Sequence, residues 1–176
     1  MNWSLLSTLG IVCGAIGWAG GGGGASGGGA SDPELSALVC RSADANQALV
    51  RGDIDRYLSL IQHAKDYTLM NPFGGTPERG FNDTPQRREG MKKFFHGGTL
   101  EQELVETYKS GDLAVLVTVE RVRAAVGELP EQDWSLRVTQ VFRRIDSGWE
   151  LVHRHADPLS NKRSVEQTAE IARGPS

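Results

Sequence analysis

The stretch from Leu136 to Pro158 reads LRVTQVFRRIDSGWELVHRHADP, and it decides the fold. Apolar and polar residues alternate along both of its halves, which are joined by the tight turn at residues 146–148. Alternation with a period of two, interrupted by an Asp-Ser-Gly turn, is typical of a β-hairpin. We therefore predict one strand from Trp134 to Arg144 and a second from Trp149 to His155.

Two further strands precede this hairpin. Residues 99–109 form the first, which ends at the Ser-Gly-Asp turn of residues 110–112. The second runs from Leu113 to Val122 and is apolar on both of its faces, so we expect it to be covered on both sides. Glu120 lies within it, and we expect Glu120 to be a surface charge or a cross-strand partner.

Helices come before the strands. A long helix begins at residues 31–32 and ends at Gly52, a second follows Asp53, and a third begins at residues 84–85. A short strand at residues 67–70 and a loop rich in Gly and Pro separate the second helix from the third. This order predicts an α+β domain in which three N-terminal helices pack on one face of a curved antiparallel sheet.

Composition divides the 176 residues into unequal parts. Residues 1–31 carry no charged side chain and contain the apolar run Leu5–Ala19, which suits a signal peptide and is shorter than the roughly 20 residues of a membrane span. No Lys or Arg precedes this run, so export to the periplasm or medium and a cytoplasmic protein with a disordered tail both stay open. We predict a signal-like segment with a Gly-rich linker over 1–31, one domain over 32–160 and a tail over 161–176.

The formal net charge of −3 gives no electrostatic case for binding nucleic acid or an anionic membrane. Two cysteines are too few for a structural zinc site. We therefore expect neither of these partners, apart from a membrane contact through a signal peptide, and we expect no metal and no cofactor.

Three stretches carry a family resemblance over residues 35–158: NQALVRGDIDRYLSLI, GDLAVLVTVE and the final hairpin. They resemble the SnoaL-like or ketosteroid-isomerase-like branch of the nuclear transport factor 2-like superfamily. The hairpin is also similar to the association domain of calmodulin-dependent kinase II. The resemblance implies a cone-shaped α+β barrel of the cystatin-like kind, with a pocket between the helices and the concave sheet face. It also implies that the outer sheet face pairs two subunits.

The cluster His153-Arg154-His155-Ala156-Asp157 has three interpretations. Strict alternation along the strand places His153 and His155 on one face together with Trp149 and Leu151. As a metal site, the two histidines need a third ligand from Asp157, His63 or His96. As a catalytic site, His155 or His153 serves as acid or base while Asp157 fixes the tautomer. As a structural strand end, the histidines are satisfied by the backbone and Asp157, and this interpretation is favoured.

The third strand supplies the candidate ligand contacts. Trp134, Gln140 and Phe142 share one of its faces, and Tyr67 is a polar group from the first strand. The resemblance to the association domain implies that Gln140 stands where that domain has a pocket arginine. The alternative is that Trp134 and Phe142 belong to the core.

Fold alone does not name a reaction, because relatives of this kind include enzymes and binding or scaffold modules. We predict a homodimer paired through the sheet, with a pocket for a small apolar organic molecule, acting as a binding or assembly module. The alternative is an isomerase, cyclase or dehydratase that moves protons on a carbonyl compound without a cofactor.

Overall fold

The computed structural model describes residues 32–173, and the predicted signal-like segment at 1–31 lies outside them. Three helices come first, as predicted: α1 (Pro33–Arg51), α2 (Ile54–Leu60) and α3 (Pro85–Phe94). The Asp32 carboxylate caps α1 by accepting from the backbone N–H groups of Glu34 and Leu35, at 3.0 and 3.3 Å. Among the described residues, no helix combines the length and apolar content needed to cross a bilayer.

Six strands form one sheet. They are β1 (Gln62–Met70), β2 (Glu78–Arg79), β3 (Phe95–Ser110), β4 (Leu113–Val126), β5 (Leu129–Ile145) and β6 (Gly148–Pro158), and a short helix, α4 (Val165–Ala172), follows them. The strand order is β2-β1-β6-β5-β4-β3. The sheet is curved and does not close into a barrel. The four long strands β3–β6 are antiparallel neighbours, which confirms the predicted α+β architecture.

The pairing of β1 differs from the expected antiparallel sheet. β1 lies beside β6 and runs parallel to it, with Thr68 opposite His153 and Met70 opposite His155. A tight turn forces an antiparallel pair, but β1 and β6 are separated by most of the domain and no turn joins them. The sheet is therefore antiparallel except at this one pairing.

The two faces of the sheet differ in burial. We call the face that α1 and α2 cover the inner face, and the opposite one the outer face. On β4, alternate residues from Ala114 to Val126 are buried on the inner face, whereas Val115, Val117 and Val119 on the outer face are only half-buried. The main core lies on the inner side and contains Leu38, Tyr57, Leu116, Phe142 and Leu151.

A β-bulge in β6 overturns the predicted side-chain directions. Phe142 pairs with Leu151 and Val141 pairs with His153, so Val152 is an extra residue that opposes none. An inserted residue reverses the alternation beyond it. The prediction that His153 and His155 share a face with Trp149 and Leu151 is wrong: both histidines lie on the outer face, and Arg154 lies on the inner face.

Gly98 lies at a close contact between α1 and the sheet. A Cβ atom at this buried position would lie 2.5 Å from the Val50 carbonyl oxygen and 2.9 Å from the Ala124 Cβ. Because neither contact is with a flexible side chain, we expect Gly98→Ala to lower the free energy of unfolding in urea by about 1–3 kcal/mol.

Gly90 provides the matched control for this change. It lies in α3, and a Cβ there would meet no atom within 4 Å. Gly90→Ala should therefore leave stability unchanged or raise it by about 1 kcal/mol, since alanine favours a helix. Equal effects of the two substitutions would contradict the close packing of α1 on the sheet.

Candidate functional site

Six buried or nearly buried polar residues meet on the inner face, within an otherwise apolar core. We call them the inner polar cluster: Ser42 and Asn46 from α1, Thr118 and Glu120 from β4, Gln140 from β5 and Arg154 from β6. Ser42 and Asn46 are four residues apart and so lie on the same side of α1. The cluster therefore joins the helical layer to three neighbouring strands.

An ion pair lies at the centre of the cluster. Two Arg154 nitrogens donate to the two Glu120 carboxylate oxygens at 3.0 and 2.8 Å, and Asn46 Nδ2 donates to Glu120 at 2.9 Å. The Arg154 side chain is 13 % exposed and the Glu120 side chain is 2 % exposed. Burial opposes the charge of Arg154, but the attraction of Glu120 outweighs it and raises the Arg154 pKa. The expectation that Glu120 is a surface charge is wrong, because alternation along β4 turns it inward.

Two polar atoms of the cluster lack a hydrogen-bond partner among residues 32–173. Ser42 Oγ donates to Gln140 Oε1 at 2.6 Å, which leaves the Gln140 Nε2 amide unpaired. Thr118 Oγ1 is also unpaired, and the register makes Thr118 a diagonal neighbour of Gln140. A buried polar group without a partner costs about 1–3 kcal/mol, so a water molecule or a ligand atom is expected beside them.

Several aromatic side chains lie together at the border of the inner face, near α2 and β1. Tyr57 Oη lies 2.9 Å from His63 Nε2, and the His63 ring stacks on Phe81 with 3.8 Å between ring centres. Burial lowers the pKa of His63 to about 4, against a weaker opposing effect of Asp83. Burial also raises the pKa of Tyr67 to about 12 and raises the pKa of Tyr57. All three side chains are therefore uncharged at neutral pH.

The predicted acid/base residues lie together on the outer face. His155 Nε2 is 3.4 Å from an Asp157 carboxylate oxygen, and His153 Nδ1 is 2.7 Å from Thr68 Oγ1. His155 and Asp157 line a groove of about 380 Å³, together with Val105, Val117, Arg137, Thr139 and Leu159. No set of three or more His, Cys, Asp or Glu residues within 32–173 is placed to hold a metal ion.

The predicted ligand contacts lie on the inner face: Trp134, Gln140 and Phe142 by alternation along β5, and Tyr67 from β1. Tyr67, Gln140 and Phe142 are buried, and Phe142 is part of the main core. Trp134 is half-buried and packs in a second apolar cluster near Val122. Only Gln140 among them joins the inner polar cluster.

Sequence reasoning missed most of the inner polar cluster, although parts of it left a signal. Glu120 follows Leu116 and Thr118 at the period-two spacing of the buried side of β4. Ser42 and Asn46 recur at helical spacing on the apolar side of α1. Arg154 left no such signal, because its direction depends on the bulge at Val152.

The sequence matches the model of one family, described as the SnoaL-like domain, over residues 42–159. No curated protein matches it significantly. Solved structures similar to the chain include a nuclear transport factor 2-like superfamily protein from Salmonella enterica. Its identity is 20 %, its TM-score is 0.64, and the match covers 78 % of this chain and 99 % of that one.

Two other similar structures extend the range of the fold. A putative dehydratase of the same superfamily from Streptomyces avermitilis is 21 % identical, with a TM-score of 0.57 and coverage of 74 % of this chain and 99 % of that one. The association domain of calmodulin-dependent kinase II from C. elegans is 13 % identical, with a TM-score of 0.53 and coverage of 71 % and 95 %. At these identities the likeness concerns the fold alone.

The Arg154–Glu120 pair makes a direct prediction about stability. We expect Arg154→Met to lower the free energy of unfolding by about 3–5 kcal/mol, because it leaves the Glu120 charge buried without its partner. Adding Glu120→Gln to this variant removes the charge and should recover more than half of the loss. Urea denaturation of the two variants measures both effects, and a double variant no more stable than the single one would contradict the pairing.

Proposed function

The chain belongs to the family of SnoaL-like domains, and from that premise we propose that it is a binding module for a small organic molecule and assembles as a homodimer. The unpaired Gln140 Nε2 beside the Arg154–Glu120 pair is the observation that carries the binding role. A donor already in place inside an apolar core can form a hydrogen bond with a ligand oxygen. The ligand oxygen then replaces the water that would otherwise pair with this donor.

The charges of the inner polar cluster favour an uncharged ligand. Arg154 and Glu120 neutralise each other through two hydrogen bonds, so neither is left to compensate a ligand charge. A charged group brought into this buried place would lose its hydration without gaining a counter-ion. We therefore propose that the ligand is largely apolar and offers an uncharged oxygen to Gln140.

The protonation states favour binding over catalysis. An efficient acid or base has a pKa near the working pH, and burial moves the pKa of His63 to about 4. His153 and His155 lie on the outer face, with the sheet between them and the inner polar cluster. These placements support a module that holds its ligand without converting it.

The alternative is an isomerase, cyclase or dehydratase that moves protons on a carbonyl compound. One contact favours it: Tyr57 Oη and His63 Nε2 are 2.9 Å apart, within reach for proton transfer. On the outer face, His155 with Asp157 would be the acid/base pair if the substrate bound in the groove that they line. One similar structure bears the words putative dehydratase in its name.

The binding role is tested with a panel of uncharged organic molecules that carry a single carbonyl or hydroxyl oxygen. We expect some to raise the melting temperature of the full chain and to be recovered chemically unchanged by mass spectrometry. Gln140→Met should weaken these ligands about tenfold by removing the amide donor. Gln132→Met, at an exposed position of the same strand, should not weaken them.

Two results would contradict parts of this proposal. Conversion of a bound compound to a product would favour the alternative. Loss of this conversion in His63→Gln would place the reaction on the inner side of the sheet, and loss in His155→Gln would place it on the outer side. Binding that is unaffected by Gln140→Met would move the ligand away from the inner polar cluster.

Assembly is proposed through the outer face of the sheet. Val117 and Val119 of β4 are half-buried there, and Val105 of β3 is 56 % exposed. Ion pairs such as Arg121–Glu103 and Arg137–Asp157 stand around these valines. Apolar surface bordered by charges of both signs suits a self-complementary two-fold contact. The name of one similar structure, an association domain, agrees with such a role.

Light scattering tests the dimer on the full chain. The parent should give about twice the monomer mass of 19.1 kDa, and Val117→Asp should give the monomer mass, because its charge would be buried in the contact. Val165→Asp is the control, since Val165 is 81 % exposed on α4, outside the sheet. A parent that remains monomeric at micromolar concentration would contradict this assembly.

A further inference from the structure

Aromatic rings meet at one end of the inner face, away from the Tyr57–His63 contact. We call Phe73, Phe94 and Trp134 the aromatic corner. The Phe73 ring lies edge-to-face with Phe94 and with Trp134, at 5.7 and 6.2 Å between ring centres. The three residues come from the loop after β1, the end of α3 and the inner face of β5, so the corner closes the space between these elements.

The Trp134 indole has a buried N–H group without an acceptor among the residues that the structure describes. Its surroundings are apolar: Trp134 packs against the buried cluster of Val50, Val122, Ala124 and Val126. An indole N–H can only donate, and a buried donor left unpaired is costly. The core therefore presents a hydrogen-bond donor on an apolar wall, which is what a ligand with a single acceptor atom requires.

Phe73 covers this wall without being fixed to it. Its side chain is 57 % exposed, and its backbone N–H donates to the side chain of Asn71 rather than to the sheet. Gly74 and Gly75 follow with φ of 79° and 86°, a left-handed turn that glycine adopts without strain. Little buried surface holds Phe73 in place, so its displacement costs less than that of a core residue.

The aromatic corner lies next to the inner polar cluster along β4 and β5. Trp134 pairs with Val122, and the next pair on the inner face of the same two strands is Leu136 with Glu120. At the surface, Phe94 and Leu129 are 37 % and 50 % exposed. Trp134 thus lies two residues along the inner face from Leu136, the residue opposite Glu120, at the edge of the neutralised Arg154–Glu120 pair.

We propose that the aromatic corner is the entrance of the ligand site, where an uncharged molecule with a flat apolar body displaces the Phe73 ring and accepts a hydrogen bond from Trp134 Nε1. The inference rests on the proposed binding function and adds the route, the gate and the second donor. Phe73 occupies the place of the ligand body when no ligand is bound, and Trp134 selects molecules that carry an acceptor.

Two probes of nearly the same shape separate these roles. Methyl naphthyl ketone offers a carbonyl acceptor, and isopropylnaphthalene replaces the carbonyl with a branched hydrocarbon. Calorimetric titration of the full chain should show tighter binding of the ketone, by about fivefold to tenfold for one added hydrogen bond. Trp134→Phe should abolish this preference and leave binding of the hydrocarbon within about twofold.

Matched controls are available in the chain. Trp149 Nε1 donates to a Glu34 carboxylate oxygen at 3.0 Å, so Trp149→Phe should keep the preference for the ketone. Phe73→Ala should accelerate association of both probes about tenfold in stopped-flow fluorescence, because the gate is removed. Tyr108→Ala removes an equally exposed ring on β3 and should leave the association rate unchanged.

The outcomes distinguish this inference from the proposed function. Loss of the ketone preference in Trp134→Phe, with faster association in Phe73→Ala, supports the entrance. If Gln140→Met weakens ligands of the panel while Trp134→Phe and Phe73→Ala change neither affinity nor rate for the naphthyl probes, binding stands and the entrance is overturned. If the parent binds ligands of the panel but neither naphthyl probe, the entrance is overturned and the binding function stands; if it binds no molecule of either set, both proposals fail. Because Phe73 is exposed, its variant remains a valid test even if Trp134→Phe unfolds.

Discussion

The ion pair between Arg154 and Glu120 is the constraint on which the inner side of the molecule depends. It crosses from β6 to β4, and Asn46 links it to α1, so one set of hydrogen bonds ties the helical layer to the sheet. Neither charge is tolerated in this place without the other. The bulge at Val152 is what turns Arg154 inward, and without it a histidine would face Glu120. A single extra residue in the last strand therefore decides the chemistry of the interior.

The elements of the fold were predictable because their signals are local. Each of these signals acts within a few positions of the chain. They are the turn at residues 146–148, the capping residues Asp53 and Thr84, and the strand at Leu113 that is apolar on both faces. The pairing of β1 with β6 has no local signal, since it joins residues about ninety positions apart, with β2, α3 and the strands β3–β5 between them in the chain.

The candidate site was less predictable than the fold, for a physical reason. Gln140 was correctly expected to share a face of β5 with Trp134 and Phe142, because alternation holds along that strand. His153 and His155 were assigned the wrong neighbours because a bulge reverses alternation and has no sequence mark here. Glu120 was expected to be a surface charge or a cross-strand partner, because a carboxylate is rarely buried unless it is paired. Its partner became recognisable only when the direction of Arg154 was known.

The parallel pairing of β1 and β6 has a consequence for the order of synthesis. β1 emerges from the ribosome early, and in the final sheet its neighbours are the two-residue β2 and the last strand, β6. Until β6 is made, most of one edge of β1 is open to pairing with another chain. Glu120 also precedes Arg154 and stays hydrated until its counter-charge is translated. The domain is therefore completed only by its final strand, and a nascent chain that stops before residue 148 lacks both the cover for β1 and the charge that lets the core close.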